Sequence, residues 1–279
     1  MSDGQAPSAN AAVAQPFRFG VVAPFTDATS WRDDVRRIEA LGYSTVLMPD
    51  VPGWQPAPGP TLAVAASLTG LRVGTWVYAS PLRSAPMTAW EAHSLTQLTE
   101  GRFDLGLGTG RPGIEDLVAE LDLPPTTPGQ RLDRIRDTVT ELRTLDGTDR
   151  HTPVVLAVRG PKARALAAEV ADIATIVSPP GDRREDAEQV IRELRALRDI
   201  PLAAHVAVVG DTVSDYMTGP GTDPAALRAV DSLAILPADP SAAIEELHRR
   251  REECGFSYVV IGSESLEAFA PVVAQLAGT

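Results

Sequence analysis

The chain has 279 residues, 44% of them hydrophobic, with 37 acidic side chains against 25 basic ones and a formal net charge of −12. That length lies inside the range of one α/β barrel, and the apolar fraction is enough for a substantial core. The acidic balance, with no run of Lys and Arg, argues against a nucleic-acid or anionic-membrane partner, because phosphate binding needs a basic face that releases counterions.

Residues 1–16 are small and polar, without the basic start and apolar run of a signal peptide, and are expected to form a disordered tail ahead of one domain over 17–279. Cys254 is the lone cysteine and cannot close an intramolecular disulfide. No apolar stretch approaches the roughly 20 residues that span a bilayer. The expectation is a soluble, cytoplasmic protein.

The first predicted strand is the β-rich run Arg18 to Ala23. Ser30 to Asp33 fits a capping box for a helix in which Trp31, Val35, Ile38 and Leu41 recur at helical spacing, and Gly42 stops it. A second apolar run, Thr45 to Met48, ends at Pro49-Asp50, and this first βαβ unit then repeats. Further strands are predicted at 72–78, 102–107, 154–158, 173–177, 202–209 and 257–261. Helical patterns lie near 60–69, 86–100, 129–145, 161–171, 182–199, 240–254 and 264–276. Alternation of about eight strands with about eight helices predicts a (β/α)8 TIM barrel, with an open doubly wound sheet as the alternative. The region 210–238 fits least well: Gly219-Pro220-Gly221 marks a mobile loop, and Ser232 to Leu236 has the composition of a short extra strand.

A barrel of this kind builds its site from the loops that leave the C-terminal ends of its strands. Those ends carry Phe25, Asp50-Val51, Tyr78 to Arg83, Thr109-Gly110-Arg111, Arg159-Gly160 and Ser178. Gly108 to Gly113 formally matches a dinucleotide fingerprint, but Pro112-Gly113 breaks the turn and no strand follows at the right distance. Glycines there either end a strand or let a flat ring approach the backbone.

Gly160-Pro161-Lys162 opens a helix whose first turn carries Arg159, Lys162 and Arg164. Such a cluster is either a phosphate site or a solvated basic edge. Asp50 is read as a hydrogen-bonding group for a ligand or as a loop-fixing carboxylate. Trp54, Trp76 and Tyr78 are read as pocket walls or as core aromatics. The four histidines form no ligand set, so no metal is expected, and His205 is read as a barrel-lining or a hydrogen-bonded interior side chain.

Several segments resemble the luciferase-like monooxygenase superfamily: LGYSTVLMPD at 41–50, LRVGTWVY at 71–78, WEAHSLTQLTEGRFDLGLGTG at 90–110 and RGPKARALAAEVADIATI at 159–176. The C-terminal GFSYVVIGSESLEAFAPVVAQLAG extends the likeness, which is greatest to the branch that uses coenzyme F420. The resemblance implies a (β/α)8 barrel with a bulge at the third strand end that supports the cofactor ring. It implies cofactor contacts at Asp50, Trp76, Val77, Thr109, Gly110, Arg159, Gly160 and Ser178; the strand-end loops themselves supply the expected substrate pocket, Phe25, Val51, Trp54, Tyr78 and Arg111. It also implies a homodimer.

The chain departs from the family's pattern where Val51 replaces a frequent histidine, Ser80 an asparagine and Arg111 a glutamate in some relatives, so no catalytic residue is assigned. The implied function is hydride transfer between coenzyme F420 and a small organic substrate. The alternatives are an FMN-dependent monooxygenase, a non-catalytic cofactor-binding barrel, and a lyase or isomerase using Asp50 and Glu115.

Overall fold

The computed structural model describes residues 15–279 apart from Pro180 and Pro220. Residues 1–14 of the predicted tail over 1–16 lie outside the described residues, and so does the middle of Gly219-Pro220-Gly221. Eight parallel strands close into a barrel: β1 (Arg18–Val22), β2 (Thr45–Met48), β3 (Arg72–Thr75), β4 (Phe103–Gly108), β5 (Val154–Val158), β6 (Ile173–Ile176), β7 (Leu202–Val206) and β8 (Phe256–Gly262). Each pairs with the next, β3 pairs with β4, and β8 pairs with β1, so no edge is left open. The helices are α1 (Ala28–Ala40), α2 (Pro58–Leu68), α3 (Ala85–Leu98), α4 (Pro128–Asp146), α5 (Pro161–Val170), α6 (Arg184–Leu197), α7 (Pro240–Cys254) and α8 (Leu266–Leu276). This is the predicted (β/α)8 barrel.

Local chemistry sets the boundaries. Helix α4 starts at Pro128, one residue ahead of the predicted 129–145, with Thr127 and Gln130 forming a capping box and Ile135, Val139 and Leu142 buried along one stripe. Helix α1 corrects its prediction. Asp27, not Ser30, is the N-cap, because its carboxylate accepts from the backbone N–H groups of Thr29 and Ser30 at 2.8 and 3.0 Å and starts the helix earlier.

Side chains of the strands divide into two cores by parity. Outward residues such as Phe19, Val46, Leu105 and Val259 pack under the helices. Inward ones include Val22, Leu47, Trp76, Val155, Tyr258 and Val260. At the N-terminal end of the barrel the interior is polar: the fully buried Asp104 accepts from Arg18 and Arg72, Arg18 also donates to Thr45 at 2.9 Å, and its guanidinium lies 4.2 Å from the centre of the Tyr258 ring.

The third strand does not run on to residue 78. From Gly74 to Tyr78 the chain advances four residues, while their partners Asp104 and Leu107 are three apart. That extra residue is a bulge, the Trp76–Val77 peptide within it is cis, and Tyr78–Ala79 then resumes pairing with β4. Past Val206 the predicted 202–209 strand also breaks. Val208–Val209 joins a separate small sheet, antiparallel to Thr212–Val213 and parallel to Ile235–Leu236, which lies inside the predicted extra strand. Three short helices, Ile114–Glu120, Asp215–Thr218 and Pro224–Ala229, were not foreseen, since four to seven residues carry too little periodicity to read.

Candidate active site at the barrel mouth

The mouth at the C-terminal strand ends has two unlike halves. Over β7, β8 and β1 it is covered by the segment that contains the helix Asp215–Thr218. The Tyr216 hydroxyl donates to the Val22 carbonyl at 2.7 Å and accepts from the Ser263 backbone N–H at 2.7 Å, while Ser214 donates to Glu264 at 2.8 Å. Below this cover the Trp76 indole N–H donates to His205 Nδ1 at 3.0 Å, which leaves the proton on Nε2, where it reaches the Met217 carbonyl at 3.2 Å. Burial holds the His205 pKa below its usual value, so the neutral ring required by these bonds is favoured.

The rear of this insertion, the stretch between β7 and α7 that carries the small sheet, is fixed too. Buried Arg250 of α7 donates to the carbonyls of Leu233 and Ile235 at 2.8 and 2.7 Å, and Arg184 of α6 holds Asp231 and Glu246, both at 2.6 Å.

Over β4, β5 and β6 the mouth is open. Val177 is 49% exposed at the end of β6, and across the barrel Trp54 is 53% exposed in the loop after β2. Thr109, Gly110 and Ser178 lie partly exposed at the ends of β4 and β6, with Gly110 in a left-handed conformation (φ 90°) where an added Cβ would lie 2.8 Å from the Ile114 side chain. Arg111 is exposed and, among the described residues, makes no ion pair. Phe25 and Val51 are half-buried, Phe25 against Trp31 with ring centres 6.2 Å apart.

Asp50 proves to be a loop-fixing carboxylate. It accepts from Arg83 through both oxygens at 2.8 and 2.9 Å and from the Ala79 backbone N–H at 3.3 Å, which ties the second strand end to the third. Trp76 and Val77 occupy the bulge, Trp76 turned into the barrel and edge-to-face with Tyr258. Tyr78 corrects the prediction of a pocket wall: it is fully buried, its hydroxyl donates to Glu91 of α3 at 2.9 Å, and Arg83 stacks on its ring. The bulge explains why. A one-residue slip reverses parity, so Tyr78 shares its outward direction with its partner Leu107.

The expected cluster of cations at the start of α5 also divides. Arg159 donates to the Val177 carbonyl and to Asp182 at 2.6 Å, whereas Arg164 turns to the Arg159 carbonyl and Glu193. Lys162 is exposed beside Gly160 and forms no ion pair among the described residues. Glu115, the other candidate carboxylate, pairs with Arg131 at 2.6 Å, which keeps its pKa below the usual range.

One polar group at the mouth was missed by sequence reasoning. Thr175 of β6 is inward-facing and buried, and its hydroxyl has no hydrogen-bond partner. Alternation along Ile173, Thr175 and Val177 was the available signal, because it puts Thr175 directly beneath a residue at the mouth. The buried Ser80 hydroxyl at the third strand end is likewise unpartnered.

The sequence model of the luciferase-like monooxygenase family matches residues 17–216, and the chain belongs to that family. Among solved structures it is similar to the coenzyme F420-dependent tetrahydromethanopterin reductase of Methanopyrus kandleri, with a TM-score of 0.70 at 16% identity over 94% of this chain and 98% of that one. An F420-dependent secondary alcohol dehydrogenase in complex with an F420–acetone adduct gives 0.65 at 17% identity, covering 92% and 98%. A long-chain alkane monooxygenase gives 0.70 at 13% identity, covering 95% and 92%. None of the curated proteins matches the sequence. At such identities these likenesses concern the fold, and with the family they make the chain an oxidoreductase or monooxygenase of the luciferase-like type.

Proposed function

We propose that the protein is a deazaflavin-dependent oxidoreductase that passes a hydride between coenzyme F420 and a small organic substrate bound in the open half of the mouth. The observation that carries this reading is the state of the carboxylates. Asp50 is held by Arg83 and Glu115 by Arg131, so neither has the freedom an acid or base of a lyase or isomerase requires. Chemistry at this mouth is then best supplied by a bound redox ring, with the chain providing position and exclusion of water.

The residues present suit such a ring. The unpartnered Thr175 hydroxyl and the small side chains around it leave a flat, hydrogen-bonding edge, and Trp76 and Val77 in the bulge supply an apolar support. Gly160 and Lys162, at the first turn of α5, would hold a phosphate, since Arg159 and Arg164 already have carboxylate partners. The cofactor's chemistry is hydride exchange at the central position of its ring. Trp54 and Val177 offer apolar surface to the substrate above it.

FMN with dioxygen as co-substrate is the second reading, favoured by the likeness to the alkane monooxygenase. Titration of the cofactor-stripped protein with F420 and separately with FMN, followed by fluorescence, tests both. Tight binding of F420 and oxidation or reduction of an alcohol, imine or enone panel is the expected result. Oxygen uptake with reduced FMN transfers the assignment to the second reading, and binding of neither ring overturns both. Lys162→Gln should weaken whichever ring binds by about threefold, the worth of one exposed charge at a helix end.

A homodimer is proposed as well. Helix α2 has no charged residue, and Val64, Met87 and Trp90 expose apolar surface on α2 and α3, so in a chain of net charge −12 this face is where a second copy meets least repulsion. Sedimentation as a monomer at micromolar concentration would remove the proposal.

A further inference from the structure

Thr175 stands on the inner face of β6 in register with Ala157 of β5 and Ala203 of β7, so its neighbours on that face carry no polar side-chain atom. Beyond Ala157 comes Gly108 of β4: a Cβ built there would lie 3.5 Å from the Ala157 methyl and 2.8 Å from Val77. Gly108, Ala157, Thr175 and Ala203 thus form a niche of small side chains in the inner wall. Ala157 is half-exposed and Val177, two residues above Thr175, is 49% exposed, so the niche opens upward into the uncovered half of the mouth.

Thr175 is only 4% exposed, and its Oγ makes no hydrogen bond. A buried hydroxyl without a partner costs more than the average hydrogen bond returns. Of the polar side chains at this mouth, His205 is committed to Trp76 and Met217, and Arg159 to Val177 and Asp182.

We propose that Thr175 is a binding residue whose hydroxyl donates to a carbonyl oxygen on the edge of the flat heterocycle held at the mouth. This rests on the reading of the mouth as a flavin-type site. Both rings considered there carry a pyrimidine dione, whose carbonyls supply the acceptor, and the niche admits that edge because the in-register neighbours of Thr175 are the alanines Ala157 and Ala203, with Gly108 beyond. The hydroxyl is held in an unsatisfied state by the fold and satisfied by the ligand, which makes it a device for recognition at some cost to the empty protein.

The test uses Thr175→Val, which keeps the shape and removes the hydroxyl, and Thr175→Ser, which keeps the hydroxyl. Each full-length variant is titrated with oxidised F420 and with FMN by fluorescence, and its ligand-free thermal unfolding is recorded. The expected result is a pair of opposite changes in Thr175→Val: a midpoint raised by about 2 °C without ligand, and affinity for the ring weakened about tenfold. Thr175→Ser should bind within about twofold of the wild type. If the wild type binds a ring and Thr175→Val binds it equally well, or unfolds at a lower temperature, the hydroxyl serves the fold and the inference is overturned while the flavin-type reading stands. If the wild type binds neither ring, the reading itself falls and this inference with it.

Discussion

The two halves of the mouth face the same solvent and rest on the same barrel, yet one is closed by hydrogen bonds and the other is not. Over β7, β8 and β1, Tyr216, Ser214, His205 and Glu264 all have partners, and the insertion behind them is clamped by Arg184 and Arg250. Over β4 to β6 the Thr175 hydroxyl is unpaired, Val177 is bare, and Arg111 and Lys162 have no carboxylate partner among the described residues. The difference teaches where each kind of free energy is placed. The covered half contributes to stability and fixes the shape of the mouth, whereas the open half carries groups left unsatisfied.

The largest effect should come from the floor on which both halves stand. Asp104→Asn leaves Arg18 and Arg72 without their buried counter-charge and should cost about 3 kcal/mol in urea unfolding. Ring binding by the remaining folded protein should be unchanged, since the floor is at the opposite end of the barrel. A loss of binding that exceeds the loss of fold would show that the two ends are not separable.

Gly262→Ala attacks the cover alone. Its new methyl would lie 1.9 Å from the Ser214 hydroxyl and 2.8 Å from the Tyr216 hydroxyl, so the segment must lift. A loss of about 2 kcal/mol is expected, confined in hydrogen exchange to the residues around Tyr216. Protection there equal to that of the wild type would mean that the cover does not depend on this contact.

Acid should loosen the same insertion from behind, with a smaller and graded effect. Burial works against the charge of Glu246, but Arg250, Arg184 and Arg249 together bring its pKa from 4.5 down to about 2. Arg184 likewise holds Asp231 below the usual carboxylate range. A depressed carboxylate stabilises the fold fully above its unfolded value and loses that contribution as pH falls through the folded one. The urea midpoint should therefore decline from about pH 4.5 toward about pH 2, and Glu246→Gln should flatten the decline. An equally steep fall in that variant would assign the acid sensitivity elsewhere.

Much of the fold was legible because the barrel's strands are short apolar runs and its helices carry apolar stripes, both set by local repeats of two and 3.6 residues. The placement of Thr109, Gly110, Arg111, Arg159 and Ser178 at the C-terminal strand ends, where the candidate site is read, followed from strand direction alone. Tyr78 was misplaced because alternation assumes an unbroken ladder, and the single extra residue at Trp76-Val77 reversed it. Arg159, Lys162 and Arg164 are neighbours in sequence, but Asp182 and Glu193, which take two of them, are about 20 and 30 residues further along.

The sequence by itself determined the barrel, its family and which residues stand at the C-terminal strand ends, since those depend on periodicity and on motifs within single segments. Only the tertiary structure decided that Asp50 is a strut for Arg83, that the insertion after β7 covers one half of the mouth, and that Thr175 is left without a partner. Pairing and its absence are properties of side chains brought together from distant segments, and no local pattern records which of several arginines will reach a given carboxylate.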